Sequence, residues 1–353
     1  MSENRFPLFG KCSSLATLLA ASLILSAPAG RALAEPPAGA GEPTDAAAAS
    51  GEAEAPKPKP KPKPRPKPKP KPKPPAPPPP PPPVAMQPAA APPANLAPAI
   101  PASFTDWRDP DPENTLVIDT SKGRMLVELR PEVAPAAVAR VKMLARARVY
   151  DGLLFHRVIA GFVAQTGNPN NKDGGATDNP NLAPEFTFRL GVDTPHVVVQ
   201  RPVGASYGFI GVLPYGSADE GRMAASPDRR LAAWGLYCQG VAGMGRQSDV
   251  NSANSEIFFM LAPAHRLERD YTPFGRLISG YDVLARLNQG EPPAEPDRMA
   301  KARVLADIPG PERPHVRVLN TQGAEFQALV AHMRALRGAD FSPCDLEIPT
   351  SGS

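Results

Sequence analysis

The chain has 353 residues, enough for one or two domains, and its 49 prolines are spread very unevenly. Formal net charge is +4, but nine cations (Lys57, Lys59, Lys61, Lys63, Arg65, Lys67, Lys69, Lys71 and Lys73) stand in one run, so everything else sums to −5. In a mildly acidic remainder nothing supports nucleic-acid binding by the globular part, while the basic run can meet any polyanion.

The first residues read as an export signal. Arg5 and Lys11 form a positive n-region, residues 15–27 an apolar h-region, and Ala32-Leu33-Ala34 a small-x-small cleavage site ahead of Glu35. The alternative is an uncleaved anchor, but the apolar run is shorter than the ~20 residues a span needs. Residues 1–34 are therefore assigned to a signal peptide, and the mature protein to the periplasm of a Gram-negative-type envelope. Cleavage leaves two cysteines, Cys238 and Cys344. In an oxidising compartment a lone pair points to one disulfide; the other reading is two buried, unpaired thiols.

Residues 35–103 are Ala, Pro, Glu, Gly and Lys with almost no aromatic or branched apolar side chain. Such a segment cannot bury enough surface to offset the entropy of ordering, and is assigned to a disordered linker. Within it, residues 57–74 alternate Lys or Arg with Pro, and residues 77–83 are all proline. Fixed φ angles and repelling charges predict an extended polyproline II rod, roughly 80 Å long for residues 57–83 at ~3.1 Å per residue. It reads as a spacer, as a contact with anionic envelope polymers or a membrane surface, or as a passive linker.

Folded sequence begins near Phe104 and Trp107. Residues 115–119 and 124–130 are apolar-rich runs joined by Thr120-Ser121-Lys122-Gly123, which predicts a β-hairpin. Residues 134–147 predict a helix, with Pro135 early and Val138, Val141, Leu144 and Ala145 at helical spacing. Residues 150–168, YDGLLFHRVIAGFVAQTGN, set Arg157 among apolar neighbours, eight residues ahead of Gln165. Burying a charge there is costly unless it has a partner or a task. Alternation along a strand sends Phe155, Arg157 and Ile159 to one face and His156 and Val158 to the other; Gly161 allows a bend after which Val163 and Gln165 share a face. Further on, residues 256–261 and 274–279 read as strands, 280–289 as a helix and 302–308 as a closing strand. Beyond Gly310, Phe326, Leu329, Val330, Met333 and Leu336 form a helical stripe expected to pack onto the domain.

The 150–168 stretch resembles the cyclophilin signature F-H-R-V-I-x-G-F-x-x-Q-x-G of peptidyl-prolyl isomerases, matched at Phe155, His156, Arg157, Val158, Ile159, Gly161, Phe162, Gln165 and Gly167. The resemblance runs from about residue 113 to 308. It implies a mainly β fold: a closed antiparallel eight-stranded barrel with two capping helices, spanning 104–308. An insertion at about 190–240 and a C-terminal extension with one helix at 309–353 are added to it. It also implies peptidyl-prolyl cis-trans isomerisation of exported, folding polypeptides. Arg157 would be the catalytic donor, and Gln165 would position the substrate backbone and Arg157. Phe162, Val163, Phe258 and Leu267 would form the proline pocket. Gly245 and Arg246 would line the groove, with Tyr271 where many members have histidine. Arg266 stands where many members have tryptophan, which should weaken cyclosporin-type inhibition more than catalysis. Val163 stands where methionine is frequent, and Glu256 replaces the usual glutamine and adds a charge.

These residues also admit other readings. Arg157 alone could be a buried ion-pair arginine with Glu185 as partner. His156 reads as a satisfied core histidine. The five histidines (His156, His196, His265, His315, His332) show no ligand spacing, so neither metal nor cofactor is expected. Residues 167–175 lack a GK[ST] and form a loop, and Ser255 sits in no G-x-S-x-G. The rival from another class is a non-catalytic proline-peptide scaffold or chaperone.

Overall fold

In the computed structural model residues 103–170 and 175–352 are described; the signal segment and the Lys/Pro-rich run lie outside the described residues. In chain order the first strands are β1 (Trp107–Arg108), β2 (Thr115–Thr120) and β3 (Gly123–Leu129), followed by helix α1 (Pro135–Arg146). The signature segment supplies β4 (Leu153–Leu154), β5 (Arg157–Ile159) and β6 (Val163–Thr166). Next come β7 (Phe188–Gly191), β8 (Val197–Gln200), β9 (Ala205–Ile210), β10 (Leu213–Ala218) and β11 (Arg230–Gly235). The chain continues with β12 (Val241–Met244), β13 (Ile257–Met260), β14 (Pro273–Ser279), α2 (Tyr281–Ala285) and β15 (Arg298–Val304). It closes with β16 (Arg317–Leu319), α3 (Ala324–Arg337) and β17 (Thr350–Ser351).

The fold is mainly β. Its main sheet is antiparallel with the order β4-β15-β2-β3-β14-β12-β13-β6-β5. The two end strands, β4 and β5, are separated in the chain by Phe155 and His156 alone. At no more than ~3.6 Å per residue their facing ends stand within about 11 Å, so the sheet must curl back on itself. The expected barrel is thus present as a curled antiparallel sheet, with nine strands and two ends in its hydrogen-bonded order rather than eight and none. The inserted residues form a second antiparallel sheet, β7-β11-β10-β9-β8, and β1-β16-β17 form a third. Gly211, first in the two-residue loop between β9 and β10, has φ +55°, the left-handed value such a turn requires.

The apolar runs of β2 and β3 do not alternate with polar residues because both faces are covered. Leu116, Ile118, Met125, Val127 and Leu129 pack with Val138, Val141 and Leu144 of α1 and with α2. Val117 and Leu126 point the other way, into a core with Val318, Phe326 and Val330 of the C-terminal extension and Phe209 of the insertion. Glu128 is 3% exposed, with Arg108 Nη1 at 2.6 Å and Arg130 Nη2 at 3.1 Å. Burial alone would raise its carboxyl, but the two guanidinium groups hold it below its ordinary range.

Three expectations need correction. The last barrel strand is Arg298–Val304, followed by a 3-10 turn, not 302–308. A register shift between Met299 and Lys301 breaks the alternation, so the fully buried members Met299, Ala302 and Val304 are unevenly spaced. Leu336 is 56% exposed, one turn beyond the part of α3 that Phe326 and Val330 bury. Phe155 lies in the same core as Val158, not on the face of Arg157, because the chain leaves the strand at residues 155–156 and alternation does not carry across the break.

Cys238, just after β11, and Cys344, in a 3-10 turn of the extension, form a disulfide with Cα atoms 5.0 Å apart over a separation of 106 residues. Closing so long a loop restricts the unfolded chain. Reduction, or Cys344→Ala, should lower stability by about 2–5 kcal/mol, seen as an earlier urea midpoint, while the domain stays folded without denaturant. Equal midpoints with and without reductant would mean that the bridge is absent in solution.

Candidate active site

The site grows from one register. In the β5–β6 hairpin Arg157 pairs with Gln165, across the next ladder Gln165 pairs with Phe258 of β13, and Phe258 pairs with Gly243 of β12. Directly opposed residues in antiparallel strands share a face. A guanidinium, an amide and an aromatic ring thus stand in a single row across three strands, with Gly243 next in line on the fourth. Gly161, at φ +64° in the β5–β6 turn, has open space where a Cβ would sit; the conformation, not crowding, calls for glycine there.

Arg157 Nη1 donates to Gln165 Oε1 at 2.7 Å, and its Nε donates to Glu291 Oε1. The side chain is 30% exposed, on the wall of a cleft rather than in the core. The cleft, about 510 Å³, is lined by Arg157, Gln165, Arg246, Gln247, Ser248, Glu256 and Tyr271. Arg246 lies 4.5 Å from the centre of the Tyr271 ring and donates through Nη2 to Asp270 Oδ1 at 2.7 Å. Gly245 lies beside it by main chain, its N–H donating to the Glu256 carbonyl at 2.7 Å.

Beside this polar cleft is an apolar wall. Val163, Phe258 and Leu267 are buried in one cluster, against which Phe162 and Tyr271 pack. The Phe258 ring is stacked on Tyr237 at 5.7 Å and meets Tyr271 edge-on at 5.8 Å. Burial pushes the Tyr237 phenol well above its ordinary range, so this backing ring stays neutral. Arg266 is exposed and lies 4.2 Å from the centre of the Phe162 ring, a cation over an aromatic face.

All nine groove residues expected from the sequence, Arg157, Gln165, Phe162, Val163, Gly245, Arg246, Phe258, Leu267 and Tyr271, fall in or around this cleft and wall. Glu185 does not pair with Arg157. It caps α1, accepting from the Ala136 and Ala137 N–H groups at 2.9 Å each. The partner of Arg157 is Glu291, 134 residues away in the chain, a distance over which no local pattern could have found it. Glu256 is 1% exposed and lies 2.8 Å from His156 Nε2. The charge expected near the groove is therefore tied to the histidine behind it, while His156 Nδ1 has no hydrogen-bond partner. Gly243 was also missed, since glycine in a strand carries no sign of what lies over it. Among the described residues no group of three metal-ligating side chains converges.

The family profile described as "Cyclophilin type peptidyl-prolyl cis-trans isomerase/CLD" matches residues 115–304. A probable peptidyl-prolyl cis-trans isomerase of Brucella suis is 32% identical over 204 residues, covering 56% of this chain and 85% of the relative. Peptidyl-prolyl cis-trans isomerase ppi1 of Schizosaccharomyces pombe is 29% identical over 193 residues, 53% of this chain and 97% of that one. Among solved structures, cyclophilin AquaCyp293 from Hirschia baltica aligns with a TM-score of 0.64 at 32% identity, covering 69% of this chain and 92% of its own. That share exceeds the span 115–304, so the likeness reaches into the flanking elements.

A Cβ on Gly243 would stand 2.5 Å from Phe258 Cζ, and the ring cannot swing away between Tyr237 and Tyr271. Gly243→Ala should cost about 1–3 kcal/mol of stability by overpacking and shift the Phe258 and Tyr271 ring resonances. An unchanged urea midpoint with unmoved aromatic signals would show that the row tolerates a methyl group there.

Proposed function

This chain belongs to the cyclophilin family and is a peptidyl-prolyl cis-trans isomerase, and from that premise we propose that Arg157 is its catalytic donor and the Phe258 wall its proline pocket. The reaction breaks no bond between atoms; it must lower a rotational barrier of ~18–20 kcal/mol about the amide C–N bond. As the amide twists, conjugation is lost and the prolyl nitrogen gains lone-pair character. A fixed donor aimed at that nitrogen binds the twisted state better than either planar one, which is what catalysis requires. Arginine suits this because it stays protonated and holds its donors in a rigid fork. The proline ring would sit against Val163, Phe162, Phe258 and Leu267. Gln165, Arg246 and Tyr271 would hold the flanking peptide groups.

The observation that carries this reading is the cross-strand row, in which Arg157 Nη1 and Gln165 Oε1 are 2.7 Å apart beside the Phe258 ring. The scaffold alternative gains no support: Arg157 is reachable from solvent, with its side chain 30% exposed. Arg157→Ala should lower kcat/KM on a short X-Pro peptide by a hundredfold or more, about 2.7 kcal/mol, with its urea midpoint little changed. Parent-like turnover in that variant would remove Arg157 from the chemistry.

The proposal includes export. The n-region, h-region and Ala32-Leu33-Ala34 site support it, as does the Cys238–Cys344 bridge, a bond that persists in oxidising compartments. The substrates are then X-Pro bonds of polypeptides folding in the periplasm, and the Lys/Pro run is a candidate contact for anionic envelope polymers. N-terminal sequencing of the protein from a periplasmic extract should start at Glu35; recovery from the cytoplasm with Met1 intact would refute export.

A further inference from the structure

We propose that Glu291 is a positioning residue for the isomerisation, holding the Arg157 guanidinium from the side opposite to Gln165 in its bonding pattern; this rests on the catalytic reading of Arg157 above. The delivery of Glu291 is built into the fold. Gly290 exchanges two backbone hydrogen bonds with Val158, at 2.8 and 2.9 Å, which sets the next residue, Glu291, beside Arg157. The loop carrying it is tied down at its root. Asp297, 6% exposed, accepts from Asn288 N–H at 2.7 Å and from Ser121 Oγ at 2.6 Å, and its carbonyl accepts from Phe155 N–H at 2.9 Å. The buried carboxylate thus joins the β2–β3 turn to the exit from α2, and the backbone carbonyl of the same residue holds the link between β4 and β5.

A guanidinium is planar, so anchoring two of its nitrogens fixes the whole group. Gln165 takes Nη1 and Glu291 takes Nε, which leaves Nη2 with no hydrogen bond among the described residues. Nη2 is the donor left to meet a twisted amide. Orientation at this level can be worth large factors in rate, while the pair itself, with side chains 30% and 55% exposed, adds little to stability. Activity and folding should therefore respond separately.

The test uses the full chain and a short X-Pro peptide, with kcat and KM measured for Glu291→Gln, Glu291→Ala, Glu291→Asp, Arg157→Ala and the double variant Arg157→Ala/Glu291→Ala. Removing the carboxylate should lower kcat about tenfold with KM within twofold and the urea midpoint unchanged, and Glu291→Asp should recover part of the loss. In the Arg157→Ala background Glu291→Ala should have no further effect, because the residue acts only through the guanidinium. Turnover of Glu291→Gln within twofold of the parent, or above it, overturns the proposal, as does an equal further loss in the double variant. Glu291→Gln keeps size and shape, so it decides the matter even if Glu291→Ala folds poorly. Parent-like turnover in Arg157→Ala would sink the catalytic reading itself; an inactive Arg157→Ala beside a parent-like Glu291→Gln would sink only the role of Glu291.

Discussion

The register of the β5–β6 hairpin is the constraint on which the site depends. With Arg157 opposite Gln165, and Gln165 opposite Phe258, guanidinium, amide and ring stand in one row. A slip of one residue would turn every side chain of β5 to the other face, sending Arg157 into the core and Val158 to the solvent. Three residues of strand are a short purchase on that register. Val158 strengthens it, because its side chain is buried in the core and its backbone is bonded to Gly290 on the side away from β6.

The added segments stabilise the sheet from outside. β2 and β3 bury apolar residues on both faces, so neither strand would be satisfied by the helix-covered core alone. The C-terminal extension and the insertion cover the second face together, with Phe209 edge-on to Phe326 at 5.6 Å. The same insertion backs the active site: Tyr215, Trp234 and Tyr237 share a cluster with Val163 and Phe258. The Cys238–Cys344 bridge joins the extension to the segment that carries Tyr237, so the elements outside the main sheet bear on the wall of the pocket through packing.

Three charged residues around the groove follow one pattern, in which a charge is placed where an aromatic surface or a buried partner receives it. Arg266 rests on Phe162, Arg246 on Tyr271, and Glu256 on His156. Long arginine side chains cover apolar surface with their stems while the head stays wet, so a wall built partly of arginine can still exclude water.

Much of this was legible in the sequence. Period-two and period-3.6 patterns located the hairpin, α1 and the stripe of α3, and the density of matches in residues 150–168 identified the family. These are local signals, carried by a few consecutive side chains whose spacing reflects strand or helix geometry. The rest needed the folded chain. Glu291 meets Arg157 across 134 residues, Glu256 meets His156 across 100, and Glu185 turned out to serve α1 instead of the arginine. The faces of Phe155 and of the last barrel strand were decided by a strand break and by a register shift, neither of which alternation can foresee. Sequence determines which residues can pair or bury; the closure of the curled sheet decides which of them do, because it sets beside each other segments that the chain keeps far apart.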